Sequence, residues 1–162
     1  MASLRSLQSA LDTRLITLQQ MPTCQVHPRL RVLLDSPAPG ISRFTYAVLD
    51  ARPARTTVLA IALFTVTDPI EGIPCFQTGC AVLESQRRKG IGALILRDAL
   101  DEFRHGMDQT QMTEFYVEAV VGAHNLASNR IAARVLTDNA AVITDEISDG
   151  PAFQYLRLVK TR

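Results

Sequence analysis

The sequence predicts one domain of mixed α/β (α+β) character spanning residues 1–162, on three observations. Extended apolar segments alternate with amphipathic helical ones, and no low-complexity linker or internal repeat divides them. Apolar residues make up 47% of the 162, ample for one core at this length. Turn-forming clusters of Pro, Gly, Asp and Ser fall between the segments.

The first element is a helix, because Leu4, Leu7, Leu11, Leu15 and Leu18 recur at steps of three and four until Pro22 closes the pattern. Its polar side carries Ser, Gln and Thr rather than Lys, which suits packing on a sheet and not a membrane surface. Extended segments follow at 29–35 and 43–49, divided by Ser-Pro-Ala-Pro-Gly. The run at 56–66 is apolar on both faces, as a mid-sheet strand should be, and Ala-Arg-Pro-Ala-Arg at 51–55 makes the turn before it. A fourth strand, rich in small residues, covers 75–83. From Gly92 the pattern turns helical: Leu96, Ala99, Leu100 and Phe103 share one face, with Arg97, Asp101, Arg104 and His105 away from it. Strand 113–121 comes next, then helix 125–136 with Ile131, Ala132, Val135 and Leu136 inward. Segments 140–147 and 152–159 form a closing hairpin around Ser-Asp-Gly-Pro.

Composition excludes several classes. No apolar run approaches the ~20 residues that span a bilayer, and the first leucines are too widely spaced for a signal-type core. Cys24, Cys75 and Cys80 are odd in number without paired spacing, and His27, His105 and His124 are scattered. Neither a disulfide framework nor a metal site is indicated, and a reducing cytoplasm is the expected location. A formal charge of +1 argues against a general nucleic-acid binder, so any positive field is local.

That field is concentrated in Gln-Arg-Arg-Lys-Gly-Ile-Gly at 86–92, a tight loop between a strand and a helix start. A helix N-terminus leaves N–H groups unpaired and carries partial positive charge, so glycines that admit close approach make an anion cradle of it. Gly90 and Gly92 are the approach points, and Arg87, Arg88 and Lys89 add full charges suited to a pyrophosphate. The spacing fits neither G-x-x-x-x-G-K-[ST] nor G-x-G-x-x-G, so a P-loop nucleotidase or a Rossmann enzyme is not supported. The bland alternative is a solvated basic turn.

Arg87-Arg88-Lys89-Gly90-Ile91-Gly92, between a small-residue strand and an amphipathic helix, resembles motif A of the GNAT acetyltransferase superfamily. Glu-Ala-Val-Val-Gly-Ala-His-Asn-Leu-Ala-Ser at 118–128 resembles its motif B, placing Asn125 and Ser128. The likeness covers roughly residues 75–160. It implies a mixed, mostly antiparallel twisted sheet flanked by helices and splayed between its fourth and fifth strands. Acetyl-coenzyme A would lie in the gap with its pyrophosphate on residues 87–92, its pantetheine along Ala81, Val82 and Leu83, and Asn125 opposite. Strand groups left unpaired by such a splay could bond the pantetheine amides much as an added strand would. Asn125 also reads as an ordinary helix N-cap.

The implied activity is transfer of an acetyl group to an amine of a small molecule or protein; the alternative is a non-catalytic acyl-coenzyme A sensor or partner-binding domain. A basic module for phosphate or RNA without coenzyme A is a third reading. Attack requires a neutral amine, and a lysine-like amine titrates near ~10, so a base must take a proton. Glu118 is the candidate, an acid in an apolar strand where burial penalises the charged form. Its rival, Glu84, belongs to the loop and should face solvent. The sequence departs from the family where a Tyr is common after the motif B Asn, since Ala132 and Ala133 stand there, and Gln86 replaces a common aromatic. Tyr116, Tyr155, His124 or a water are the substitutes for the acid that protonates the leaving thiolate. A homodimer, through strand edges and the apolar end Pro-Ala-Phe-Gln-Tyr-Leu-Arg-Leu-Val, is also expected.

Overall fold

The computed structural model describes residues 4–162. Its elements are α1 (Leu4–Asp12), β1 (Leu30–Ala38), β2 (Ile41–Ala51), β3 (Thr56–Ile70), β4 (Ile73–Val82), α2 (Ile91–Asp108), β5 (Glu114–Gly122), α3 (Leu126–Val135), β6 (Ala141–Asp145) and β7 (Gly150–Lys160). The strands form one seven-stranded sheet in the order β1-β2-β3-β4-β5-β7-β6. Every neighbouring pair is antiparallel except β4 and β5, which the α2 crossover makes parallel.

Strand alternation divides the sheet between two cores. Leu30, Tyr46, Ala60, Ala62, Phe64, Phe76, Phe115, Val117, Ala119, Tyr155 and Val159 face α2 and α3. On the other face Ala47, Val58, Ile61 and Leu63 meet Leu4 and Leu7 of α1, with Ala81 and Leu83 partly buried beside them. Helix α1 therefore covers the β2–β3–β4 part of that face. Gln8 fixes it there: its Oε1 accepts from Val58 N–H at 2.8 Å and its Nε2 donates to the Thr56 carbonyl at 2.9 Å, satisfying β3 just past the end of β4.

The first helix is shorter than its leucine stripe predicts. Arg14 adopts a left-handed φ of 58°, and Ile16 N–H closes back on the Ala10 carbonyl at 3.1 Å, ending the helix as an αL cap does. Leu15 is consequently 77% exposed. Two predicted turns are also tighter than the sequence suggests. β1 runs through Ser-Pro-Ala to Ala38 with an irregularity between Asp35 and Ala38, and β3 runs on to Ile70 before a turn at Glu71 and Gly72, with φ of 51° and 80°.

Two acids that the sequence pattern does not single out, Asp98 and Glu102, are buried on α2. Asp98 pairs with Arg29 and Arg97 and lies 3.4 Å from His27 Nδ1, while Glu102 accepts from His27 N–H. They tie the chain before β1 to the helix, which is how a buried charge is tolerated. In the apolar C-terminal end expected to pair with a copy of the protein, β7 is paired with β5 along Ala152–Lys160 but with β6 only over Gly150–Gln154. Among the described residues the sheet's unpaired strand sides belong to β1, to β6 and to β7 beyond Gln154.

Candidate active site

β4 and β5 share only three paired positions, Cys75 with Tyr116, Phe76 with Val117 and Gln77 with Glu118, although both strands continue to Val82 and Gly122. Beyond Gln77 and Glu118 they diverge. β4 stays paired with β3 and β5 with β7, so only the edges facing each other lose their partners. The gap holds a cleft of about 180 Å³ lined by Thr78, Gly79 and Cys80, by Ala119 to Gly122, and by Asn125, Ser128, Ile131 and Ala132 of the α3 region. In β4 it is lined by the three residues before the expected Ala81–Leu83; Ala81 and Leu83 pack towards α1, and Val82 towards α2.

The basic loop adjoins the cleft through Ile131, which lines the cleft and lies against Gly92 at the start of α2. β4 ends in a short 3-10 turn, Glu84–Gln86, and Gly90 enters α2 at a φ of 74°. The first N–H groups of α2 have no acceptors within the helix, as at any helix start. Arg87 Nε donates to the Val82 carbonyl at 3.2 Å and Lys89 Nζ to Gln86 Oε1 at 3.2 Å. Arg88, exposed and at a left-handed φ of 61°, has no partner among the described residues.

The two glycines do different work, which corrects the expectation that both merely clear space for a ligand. A Cβ on Gly90 would meet nothing within 4 Å, so that position offers open space and a left-handed turn. A Cβ on Gly92 would stand 2.6 Å from Ile131 Cδ1, so Gly92 is where α2 and α3 come close. Gly92→Ala is therefore expected to lower stability by about 1 kcal/mol, the low end for overpacking, because only the terminal methyl of Ile131 must move. Ile131→Val removes the obstructing methyl, and in that background Gly92→Ala should cost at least ~0.5 kcal/mol less. Denaturant unfolding of the four proteins checks this; additive losses would dismiss the contact.

Asn125 performs the capping role, accepting from Ser128 N–H at 3.2 Å, and both residues also line the cleft. The residue the sequence did not single out is Asn129. Its Nδ2 donates to the carbonyls of Gly122 and Asn125, each at 3.0 Å, and its Oδ1 accepts from the Tyr155 hydroxyl at 2.9 Å. Tyr155, a candidate acid, is thereby buried and committed to α3. The only sequence signal for Asn129 was its place four residues after a capping Asn.

Glu118 belongs to the last paired rung, on the face away from α2 and α3, because its neighbours Val117 and Ala119 lie in that core. It is half-buried and accepts from Gln154 Nε2 at 2.5 Å. Cys75 shares its surroundings: burial first, and then the Glu118 charge, push the Cys75 thiol up to about 11. Over the adjacent Gly79 and Gly122 a Cβ would find nothing within 4 Å, so this face of the splay is open. Glu84 is exposed in its turn, away from this opening. Cys80 lines the cleft, but burial raises its thiol to about 11, so it stays protonated at neutral pH and is a poor nucleophile.

A larger concavity of about 400 Å³ lies between the end of α1 and the β2–β3 loop. Two of its arginines are already paired, Arg55 with Asp12 and Arg52 with Asp50, each at 3.0 Å, and no diverging strand edges open into it. The smaller cleft, between the diverging strands, is therefore the candidate site.

The described parts superpose on solved acetyltransferases. One is a GNAT-family acetyltransferase from Streptococcus pneumoniae, with a TM-score of 0.51 at 12% identity over 72% of this chain and 66% of the other. Another is NAA60 of Arabidopsis thaliana in complex with a bisubstrate analogue, at 0.52 and 12% over 76% and 78%. The NatC complex bound to Gag peptide and CoA matches at 0.51 and 15%, over 72% and 71%. The fold is that of the GNAT acetyltransferases. Its mixed, mostly antiparallel sheet, its splay between β4 and β5 and the glycine loop opening α2 are the predicted features. The chain spans just under two thirds of the Streptococcus protein and 61% of a ribosomal-protein-S5-alanine acetyltransferase from Vibrio fischeri. No family model and no curated protein matches the sequence. No helix among the described residues is long and apolar enough to cross a membrane, and they contain no cluster of metal-ligating side chains.

Proposed function

We propose that the chain is an acetyl-coenzyme A-dependent N-acetyltransferase acting on an amine of a small molecule or protein. The observation that carries this reading is the loss of β4–β5 pairing after Gln77 and Glu118, which leaves two strand edges facing a cleft whose wall residue Ile131 lies against Gly92 in the first turn of α2, beside the basic loop. An extended, amide-bearing arm with a polyphosphate at one end satisfies both halves: its amides replace the missing strand, and its phosphates meet the N–H groups of Gly90 to Ala93 and the Arg88 charge. The residues present fit that group, since Gly90 leaves its surroundings open where a side chain would stand. When bound, the thioester supplies an activated acetyl group.

The chain's own residues supply the rest. Edges of Thr78 to Cys80 and Ala119 to Val121 hold the arm in line, and Asn125 and Ser128 close the cleft from α3. The face opposite α2 is open at Gly79, so the acceptor reaches the cleft there. Glu118, on that face, takes the proton that makes the amine nucleophilic.

Calorimetric titration with coenzyme A, followed by thiol release with a panel of amines, tests the reading. Binding with release supports it; binding without release for any amine would make the domain a sensor; displacement by RNA but not by coenzyme A would make it a phosphate-binding module. Arg88→Gln isolates the charge, because both residues bear the same backbone strain. It is expected to weaken coenzyme A by ~1–2 kcal/mol and leave a phosphate-free pantetheine analogue nearly unaffected. Equal weakening of both would assign Arg88 a structural role.

A further inference from the structure

We infer that Gln154 is a positioning residue for Glu118, fixing the carboxylate at the mouth of the splay through a hydrogen bond from β7. The inference rests on reading Glu118 as the base.

Glu118 is the last residue of β5 paired to β4, through Gln77, and beyond it β7 is the only strand still paired to β5. Gln154 lies on β7 opposite Val120, diagonal to Glu118, and faces the same side because Phe153 and Tyr155 turn into the α2–α3 core. Its Nε2 donates to Glu118 Oε1 at 2.5 Å, and among the described residues the second carboxylate oxygen takes no hydrogen bond. One oxygen is thus anchored while the other is left to meet a proton. The choice of an amide matters. A neutral donor orients the carboxylate, whereas an Arg or Lys there would hold it ionised more firmly and weaken it as a base. Among the described residues no cationic side chain forms an ion pair with Glu118. A purely structural role would make the contact one cross-strand pair among many.

The test uses Gln154→Leu, which removes the donor while keeping most of the bulk, and Gln154→Glu, which replaces the donor by a second carboxylate. Turnover in Gln154→Leu is expected to fall about tenfold, with the Michaelis constant for acetyl-coenzyme A within a few-fold. The acidic limb of its pH–rate profile should move to higher pH, and further still in Gln154→Glu, because loss of a donor and gain of a like charge both disfavour the carboxylate. In a Glu118→Gln background Gln154→Leu should cost nothing more. An unmoved limb, or an undiminished loss in that background, overturns the inference while leaving Glu118 as base. If Glu118→Gln itself leaves turnover and limb intact, the underlying reading fails instead. A readout independent of turnover is the ¹³C NMR titration of the Glu118 carboxyl: its midpoint should rise in Gln154→Leu, and an unchanged midpoint overturns the inference even where no acceptor is known.

Discussion

Replacing Glu118 by Gln is expected to lower turnover by ~10²–10⁴ while coenzyme A affinity stays near that of the wild type. Gln matches Glu in size and can keep company with Gln154, so packing at the last β4–β5 rung survives and only the capacity to take a proton is lost. Affinity should be spared because the Glu118 side chain faces the open side of the sheet, whereas the cradle and the cleft walls are built from β4, α2, α3 and the part of β5 beyond Glu118. The acidic limb of the pH–rate profile should vanish with the carboxylate. Turnover within a few-fold of wild type, with that limb intact, would make Glu118 a structural residue of β5. An ordered water would then be the next base to consider, since Glu84 lies exposed in its turn.

What the sequence made legible is what short-range pattern encodes. The period-two runs, the helix starting near Gly92 and the glycine-bearing basic loop all depend on neighbours in the chain, and the strands appear within a few residues of their expected ends. Strand parity likewise put Glu118 on one face with Val120. The missed features need partners remote in sequence. Gly92 reads as a ligand-approach glycine until Ile131, on another helix, is seen to occupy the space of its Cβ. Asp98 and Glu102 belong to the polar set by residue type, and only Arg29 and His27, some 70 positions away, explain their burial. Gln154 is an unremarked polar residue in a β-hairpin until the register brings it diagonal to Glu118. The end of α1 failed for a different reason: an αL cap at Arg14 interrupts a leucine spacing that periodicity alone would extend.

Phe103→Ala should be the most destabilising single change, at about 3–5 kcal/mol, because it empties the point where α2 meets the sheet. The Phe103 side chain is fully buried and its ring stacks on Phe64 at 4.6 Å and 7°, with edge contacts to Phe76 at 4.7 Å, Phe44 at 5.1 Å and Phe115 at 5.3 Å. Those four partners come from β2, β3, β4 and β5, so a cavity there loosens α2 from four strands together. Rings held in offset and edge geometry cannot collapse into the space without breaking one another's contacts, which keeps the cost near the upper part of the range. At ~2–4 °C per kcal/mol for a domain of this size, thermal unfolding should drop by roughly 6–20 °C. Coenzyme A binding to the folded fraction at low temperature should persist, since Ile95, Leu96 and Ala99 still seat the first turns of α2 behind the glycine loop. Phe103→Leu, which refills much of the volume, should cost less than half as much. A loss below ~1 kcal/mol for Phe103→Ala would mean that the aromatic cluster relaxes freely and that α2 is held chiefly by its N-terminal half.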